Sequence, residues 1–211
     1  MIIDKNTKLF GSFSHNPGNK GALFFNQAFA HYGINAIYKS FYVENIEEGV
    51  LAARTLGMSG FAVAMPHKKS ILPFLDEIDS KAKEIGSVNT IVNREGKLIG
   101  YNTDYLGICK IGIILDEDEY VVVGNGGLSA SATFYLKENN LRYIMVTRSN
   151  WDYLSTVKDR VILNCTPVTL DTIHTSNTVI DFNIGQASGD KLHLLQAKEQ
   201  FTLYTGLQYG T

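Results

Sequence analysis

The sequence predicts an α/β fold class: an N-terminal α/β substrate domain plus a shortened Rossmann-like nucleotide-binding domain, with a cleft between them. Three observations carry that expectation. Over the first hundred residues, apolar segments with the two-residue period of strands alternate with segments whose apolar residues recur every three to four positions. From Tyr120 the chain reads as an apolar strand, a glycine-rich turn, a helix and a second strand, which is the opening of a nucleotide-binding half. A hydrophobic content of 45% over 211 residues is enough to bury one large core or two smaller ones.

Taken in order, Thr7 to Ser14 (TKLFGSFS) reads as a strand and His15 to Gly21 (HNPGNKG) as a turn-rich loop. Ala22 to Tyr32 has the apolar spacing of an amphipathic helix, ended by Gly33. Ala36 to Tyr42 alternates as a second strand. A helix opens at Val43-Glu44-Asn45 and runs to about Leu56, with Ile46, Val50, Leu51 and Ala53 on its apolar side. Phe61 to Met65 is a short apolar strand stopped by Pro66, and Leu72 to Ile85 reads as one helix with Pro73 near its start. Val88 to Asn93 and Lys97 to Tyr101 pair as a hairpin across Arg94-Glu95-Gly96. In the second unit, Tyr105 to Leu115 reads as a connecting helix, Asp116 to Glu119 as a turn and Tyr120 onward as a strand. Helix is expected at Leu128 to Glu138, and strands at Arg142 to Val146, Arg160 to Cys165 and Thr178 to Asn183. Leu192 to Tyr204 is the final amphipathic helix. The expected domains are residues 1–104, completed by the C-terminal helix within 190–211, and residues 105–189.

A formal net charge of −2 gives no basic field for a nucleic-acid backbone, so the expected partner is a small molecule. No uncharged apolar run approaches the roughly 18 residues of a membrane span. The first residues lack the apolar core of a signal peptide, so the expected location is cytoplasmic. Cys109 and Cys165 show neither paired nor metal-ligand spacing, and the five histidines are scattered, so no metal site is predicted. Oligomeric state is not assigned.

Chemistry concentrates in three short stretches. Gly60-Phe-Ala-Val-Ala-Met-Pro-His-Lys-Lys69 delivers Lys68 from the end of an apolar run, Gly86-Ser-Val-Asn-Thr90 delivers Asn89, and Tyr101-Asn-Thr-Asp104 delivers Asp104. An ammonium, an amide and a carboxylate supplied from three element ends suit proton transfer on a hydroxyl or ketone. Each also has a purely structural reading. Lys68 can be a solvated cation beside His67 and Lys69, Asp104 an N-cap of the helix after it, and Asn89 a partner of local backbone. The turn Gly124-Asn125-Gly126-Gly127 suits a pyrophosphate, because small residues let backbone amides approach and the helix N-terminus adds partial positive charge. Glycines there are equally a structural device. The next strand ends in Arg148 and Ser149, where an acidic residue would select a free ribose hydroxyl. A cation and a hydroxyl favour a 2′-phosphate, hence NADP over NAD.

These stretches resemble the shikimate dehydrogenase family, and more closely its divergent shikimate dehydrogenase-like branch. Gly60 to Lys68 stands for the family's GxNVTxPxK, Gly86 to Thr90 for GAVNT, Asn102-Thr103-Asp104 for NTD, and Gly124 to Gly127 for GAGG. Gln196-Ala197 with Phe201 to Gly206 resembles the closing QAxxAFxLWTG. The resemblance implies an NADP-dependent oxidoreductase of aromatic amino acid biosynthesis that interconverts shikimate and 3-dehydroshikimate or a similar cyclic polyol acid such as quinate. It implies Lys68 and Asp104 as the proton-transfer pair, with Asn89 and Gln196 bonding ring hydroxyls. Alignment on Phe25-Asn26 puts Asn19 and Gly21 where the family has the two serines that hold the substrate carboxylate, which makes Asn19 a candidate substrate contact. Ser12, Ser14 and Lys20 are the other candidates for that end. Ala62 and Ala64 replace a polar pair, and only eleven residues separate Arg148 from Arg160. These departures keep a second function open: a degenerate relative that binds a metabolite or partner with weak or no dehydrogenase activity.

Overall fold

A computed structural model describes residues 3–113 and 119–210. The chain divides into two compact units, Met1–Thr103 with Ala197–Thr211, and Asp104–Gln196. Each is a mixed strand-and-helix unit with its own sheet, as the two alternating periods predict.

The first unit contains β1 (Lys8–Ser14), α1 (Lys20–His31), β2 (Ala36–Tyr42), α2 (Ile46–Thr55), β3 (Gly60–Val63), α3 (His67–Ser70), β4 (Glu77–Ile78), α4 (Ser80–Ile85), β5 (Thr90–Arg94) and β6 (Lys97–Tyr101). Its six strands form one sheet in the order β2-β1-β3-β5-β6-β4. β1 runs parallel to β2 and β3, with Phe10 opposite Tyr38 on one side and Gly60 on the other. β5 reverses direction against β3 and forms an antiparallel hairpin with β6. Glu95 and Gly96 both take positive φ, 54° and 90°, so the hairpin closes on a two-residue turn of the primed kind.

Helical spacing explains which faces are covered. α1 turns Phe25, Ala28 and Phe29 inward at i, i+3 and i+4, against Phe10 and Tyr38 of the sheet and Phe201 and Tyr204 of the last helix. The Phe25 and Tyr38 rings stack at 4.5 Å. Full burial of one such side chain contributes about 1.5–3 kcal/mol. α2 is capped by the Asn45 side chain, which accepts the Glu47 N–H, and buries Ile46, Gly49, Val50 and Ala53. Leu51, expected on that face, is 65% exposed, because the residue after Val50 lies about 100° further round the helix.

The expected helix from Leu72 to Ile85 is broken. Leu72–Phe74 is a single 3-10 turn, β4 pairs with β6, and only Ser80–Ile85 is helical. Pro73 sits at the start of the 3-10 turn, where its missing N–H is not needed. Leu75 is extended, and Asp79 then starts α4 by accepting the Lys81 and Ala82 N–H groups. Between them the Asp76 carboxylate accepts the Leu98 N–H and an Arg54 guanidinium N–H, each at 2.7 Å, fastening the break to β6. The Leu98 N–H first, and Arg54 second, hold this carboxyl below the usual carboxylate range.

The second unit contains most of α5 (Thr103–Ile111), then β7 (Glu119–Val123), α6 (Gly127–Glu138), β8 (Arg142–Val146), β9 (Val161–Asn164), β10 (Thr178–Asp181) and the first part of α7 (Ala187–Thr205). Of the expected turn at Asp116 to Glu119, residues 116–118 lie outside the described residues, and Glu119 opens β7. The four strands are parallel, in the order β10-β9-β7-β8. β7 is covered on both faces, as parallel strands require: Tyr120 and Val122 pack with Leu136 and Leu163, while Val121 and Val123 pack with Val146, Leu154 and Ile162. Between β8 and β9 the chain forms a 3-10 stretch, Arg148–Thr156, kinked at Asn150. No helix among the described residues is long and apolar enough to cross a membrane. No group of three His, Cys, Asp or Glu among them is placed to hold a metal.

Candidate active site

All four residues of β3 are buried. The chain leaves the sheet after Val63 and turns at Pro66, where His67 N–H donates to Ala64 C=O at 2.8 Å and starts the single turn of α3. The His67 ring closes against backbone: Nε2 lies 2.7 Å from the Val43 carbonyl, which only accepts, so Nε2 carries the proton. This anchor buries His67, leaves Lys69 exposed and holds Lys68 half-buried. Lys68 is therefore not one of three equivalent solvated cations.

Backbone pairing brings Asn89 to the same place. Val63 N–H donates to Asn89 C=O and Val88 N–H donates to Lys68 C=O, both at 2.9 Å. Residues 88 and 89 thus bond to both ends of the connection that carries Lys68. The third stretch is tied in by Asn102, whose Nδ2 donates to Ser87 C=O at 2.8 Å. Asp104 follows one residue after Thr103, buried in the first turn of α5.

The Asn89 side chain is 2% exposed, and its orientation is fixed. Its Oδ1 accepts the Thr103 backbone N–H at 2.8 Å, the Thr103 hydroxyl at 3.0 Å and the Thr90 hydroxyl at 3.0 Å. A backbone N–H only donates, so the atom facing it must be the amide oxygen. Gln200, also buried, completes the cluster by donating Nε2 to Thr90 Oγ1 at 3.0 Å. Gln200 and Thr103 were not among the predicted site residues. The available signal was a second polar residue one helical turn after Gln196, on a helix whose neighbouring Ala197 and Phe201 are buried.

Gln196 itself is half-buried, with Nε2 3.1 Å from His193 Nδ1. Asn19 is exposed at the start of α1, where its side chain makes no capping bond, and Lys20 beside it is exposed too. Asn26 clasps α1 to β2, donating to the Ala22 and Tyr38 carbonyls and accepting the Tyr38 N–H. Ser12 lies half-buried opposite Ala62 and bonds the Tyr38 phenol, and Ser14 is buried at the end of β1. Burial pushes the Tyr38 phenol well above the ordinary tyrosine value, with the Ser12 bond acting weakly against it.

In the second unit, β7 runs into Gly124, whose φ of 121° strongly disfavours a side chain. A Cβ there would also sit 3.1 Å from the Thr166 methyl. Gly126 caps α6 and a Cβ on it would meet nothing within 4 Å, so its backbone faces open space; Gly127 is the first helical residue. Asn125 is exposed between them. The first turn of this 12-residue helix has no acidic residue, so its N-terminal amides suit an anion. Arg148 is exposed at the end of β8, and the Ser149 hydroxyl lies 2.9 Å from that of Thr147. These residues fit a dinucleotide carrying a 2′-phosphate.

The family profile described as the shikimate dehydrogenase substrate binding domain matches residues 20–91. A shikimate dehydrogenase-like protein of Haemophilus influenzae is 40% identical over 152 residues, which are 71% of this chain and 56% of that protein. A shikimate dehydrogenase (NADP(+)) of Methanococcus maripaludis is 41% identical over 152 residues, 68% of this chain and 54% of that one. The chain thus spans about half the length of the curated relatives it matches. The solved structure of a shikimate 5-dehydrogenase-like protein superposes with a TM-score of 0.80 at 30% identity, covering 98% of this chain and 94% of that one.

Proposed function

We propose that this chain, which belongs to the shikimate dehydrogenase family, is an NADP-dependent oxidoreductase acting on shikimate or a similar cyclic polyol acid. The observation that supports this reading is the backbone pairing of Val88 with Lys68 and of Asn89 with Val63, which brings the backbone of a half-buried lysine next to that of an asparagine whose amide is oriented. The Methanococcus relative supplies the cofactor by its name.

NADP would lie against Gly124, Asn125, Gly126 and Gly127, with Arg148 and Ser149 at its 2′-phosphate, and when bound it accepts the hydride lost by the hydroxyl-bearing carbon. In that direction Lys68 Nζ, as the amine, takes the hydroxyl proton; in reverse its ammonium returns a proton to the ketone oxygen as charge develops there. Asp104 is the partner that the family resemblance assigns to Lys68. Asn89 Nδ2 donates to a ring oxygen, and Gln196 is the second ring contact. Asn19, Lys20, Ser12 and Ser14 remain the groups proposed for the carboxylate end.

Purified protein given shikimate and NADP is expected to show growth at the reduced-nicotinamide absorbance band. Lys68→Ala should lower the rate by about 1,000-fold without loss of folding. Absence of turnover with every cyclic polyol acid, under NADP and NAD alike, would overturn the reading. The 3-10 stretch Arg148–Thr156 favours a second one, a ligand-binding relative without hydride transfer. Thermal shifts separate them: stabilisation by a small acid alone, with none from NADP, selects the second.

A further inference from the structure

We infer that Gln200 is a positioning residue for Asn89, acting through the Thr90 hydroxyl, and that this edge of the site presents only an N–H donor. The inference rests on the proposed role of Asn89 as a substrate contact.

Thr90 and Thr103 are both fully buried, each with one hydroxyl proton, and their oxygens lie 3.1 Å apart. Left alone, such a pair has two arrangements, in which either hydroxyl donates to the other. Gln200 Nε2 donates to Thr90 Oγ1, filling one of its two acceptor positions and polarising the hydroxyl, which favours Thr90 as a donor over Thr90 as the acceptor of a second bond. Thr90 then sends its proton to Asn89 Oδ1, and Thr103 is free to do the same, joining the Thr103 backbone N–H. With these donors on Oδ1, the amide plane cannot flip without burying an unpaired group. The Nδ2 hydrogens are left as the only groups Asn89 offers. The ligand atom meeting them must be an acceptor: a hydroxyl lone pair, a ketone oxygen or a carboxylate.

Gln200→Glu tests this with little change in volume. A carboxylate at that position cannot donate to Thr90; it accepts the Thr90 proton and draws it away from Asn89. KM for the polyol acid is expected to rise about 10-fold with kcat and the KM for NADP nearly unchanged, because a binding contact is weakened in ground and transition states alike. Thr90→Val should raise KM similarly, Thr90→Ser should restore the wild-type value, and the Gln200→Glu/Thr90→Val double variant should be no worse than either single one. An independent readout uses the ligand-free protein: the Asn89 side-chain NH2 resonances should shift and exchange faster with solvent in Gln200→Glu. Unchanged KM together with unchanged Asn89 amide resonances overturns the proposal. If no acid is turned over or bound, the functional reading fails, while the amide resonances still decide the role of Gln200. A drop in melting temperature with unmoved amide resonances marks Gln200 as a packing residue and also overturns it.

Discussion

In the first unit the candidate ligand groups Lys68 and Asn89 are side chains on a fixed backbone: three donors hold the Asn89 amide oxygen, and the Val88 bond to the Lys68 carbonyl, with the buried His67 beside it, anchors the turn that carries Lys68. At the glycine turn of the second unit they are mostly backbone: Gly124, Gly126 and Gly127 offer amides, and the flanking Asn125, Arg148 and Ser149 are exposed. A site built from oriented side chains discriminates among ligands by which atoms donate and which accept. A site built from a glycine turn and a helix end recognises an anion, and leaves discrimination to one or two exposed charges.

That contrast can be broken most forcefully at Gly124. Gly124→Val forces a β-branched residue into positive φ and toward the Thr166 methyl. NADP affinity, measured by fluorescence titration, should fall about 100-fold, with a lower melting temperature, while binding of the polyol acid changes little. Equal loss of both would show that the two kinds of site do not act separately. A smaller effect is expected at Arg148. Arg148→Gln should reduce the preference for NADP over NAD about 10-fold, read as the ratio of kcat/KM values, because one charge-assisted contact to the 2′-phosphate is lost. An unchanged ratio would move the source of preference elsewhere in the turn.

The smallest effect lies in the scaffold of the first unit. Asp76 has a folded-state pKa below its unfolded value, so its contribution to stability is present above about pH 4 and lost as pH falls through the folded value. Asp76→Asn should therefore flatten the acid limb of a melting temperature against pH curve and lower the plateau slightly. An acid limb identical to wild type would remove the Leu98 and Arg54 contacts as its cause.

Regions where local signals agreed were readable from sequence alone. Ala36–Tyr42 and Arg142–Val146 are strands over the expected residues, because their β-branched and aromatic residues meet no glycine or proline within the run. Between Leu72 and Ile85 the apolar spacing is helical throughout, but Pro73 and Asp79 are two start signals that divide the segment. At the site, Lys68 and Asn89 could be chosen from short motifs, but their juxtaposition depends on β3 and β5 pairing antiparallel. Gln200 is marked locally only by its place one helical turn after Gln196, because its partner Thr90 is 110 positions away.

The hairpin of β5 and β6 has a practical consequence. Thr90 pairs with Tyr101 at the end bearing Asn89 and Asn102, while Arg94 pairs with Lys97 at the other. Four residue steps of about 3.4 Å separate Thr90 from Arg94, so the exposed Glu95–Gly96 turn lies more than roughly 14 Å along the ribbon from the functional end. That turn is where a reporter peptide or a fluorophore can be spliced into the chain, far enough along the ribbon to leave the chemistry undisturbed and rigidly enough attached to report on it.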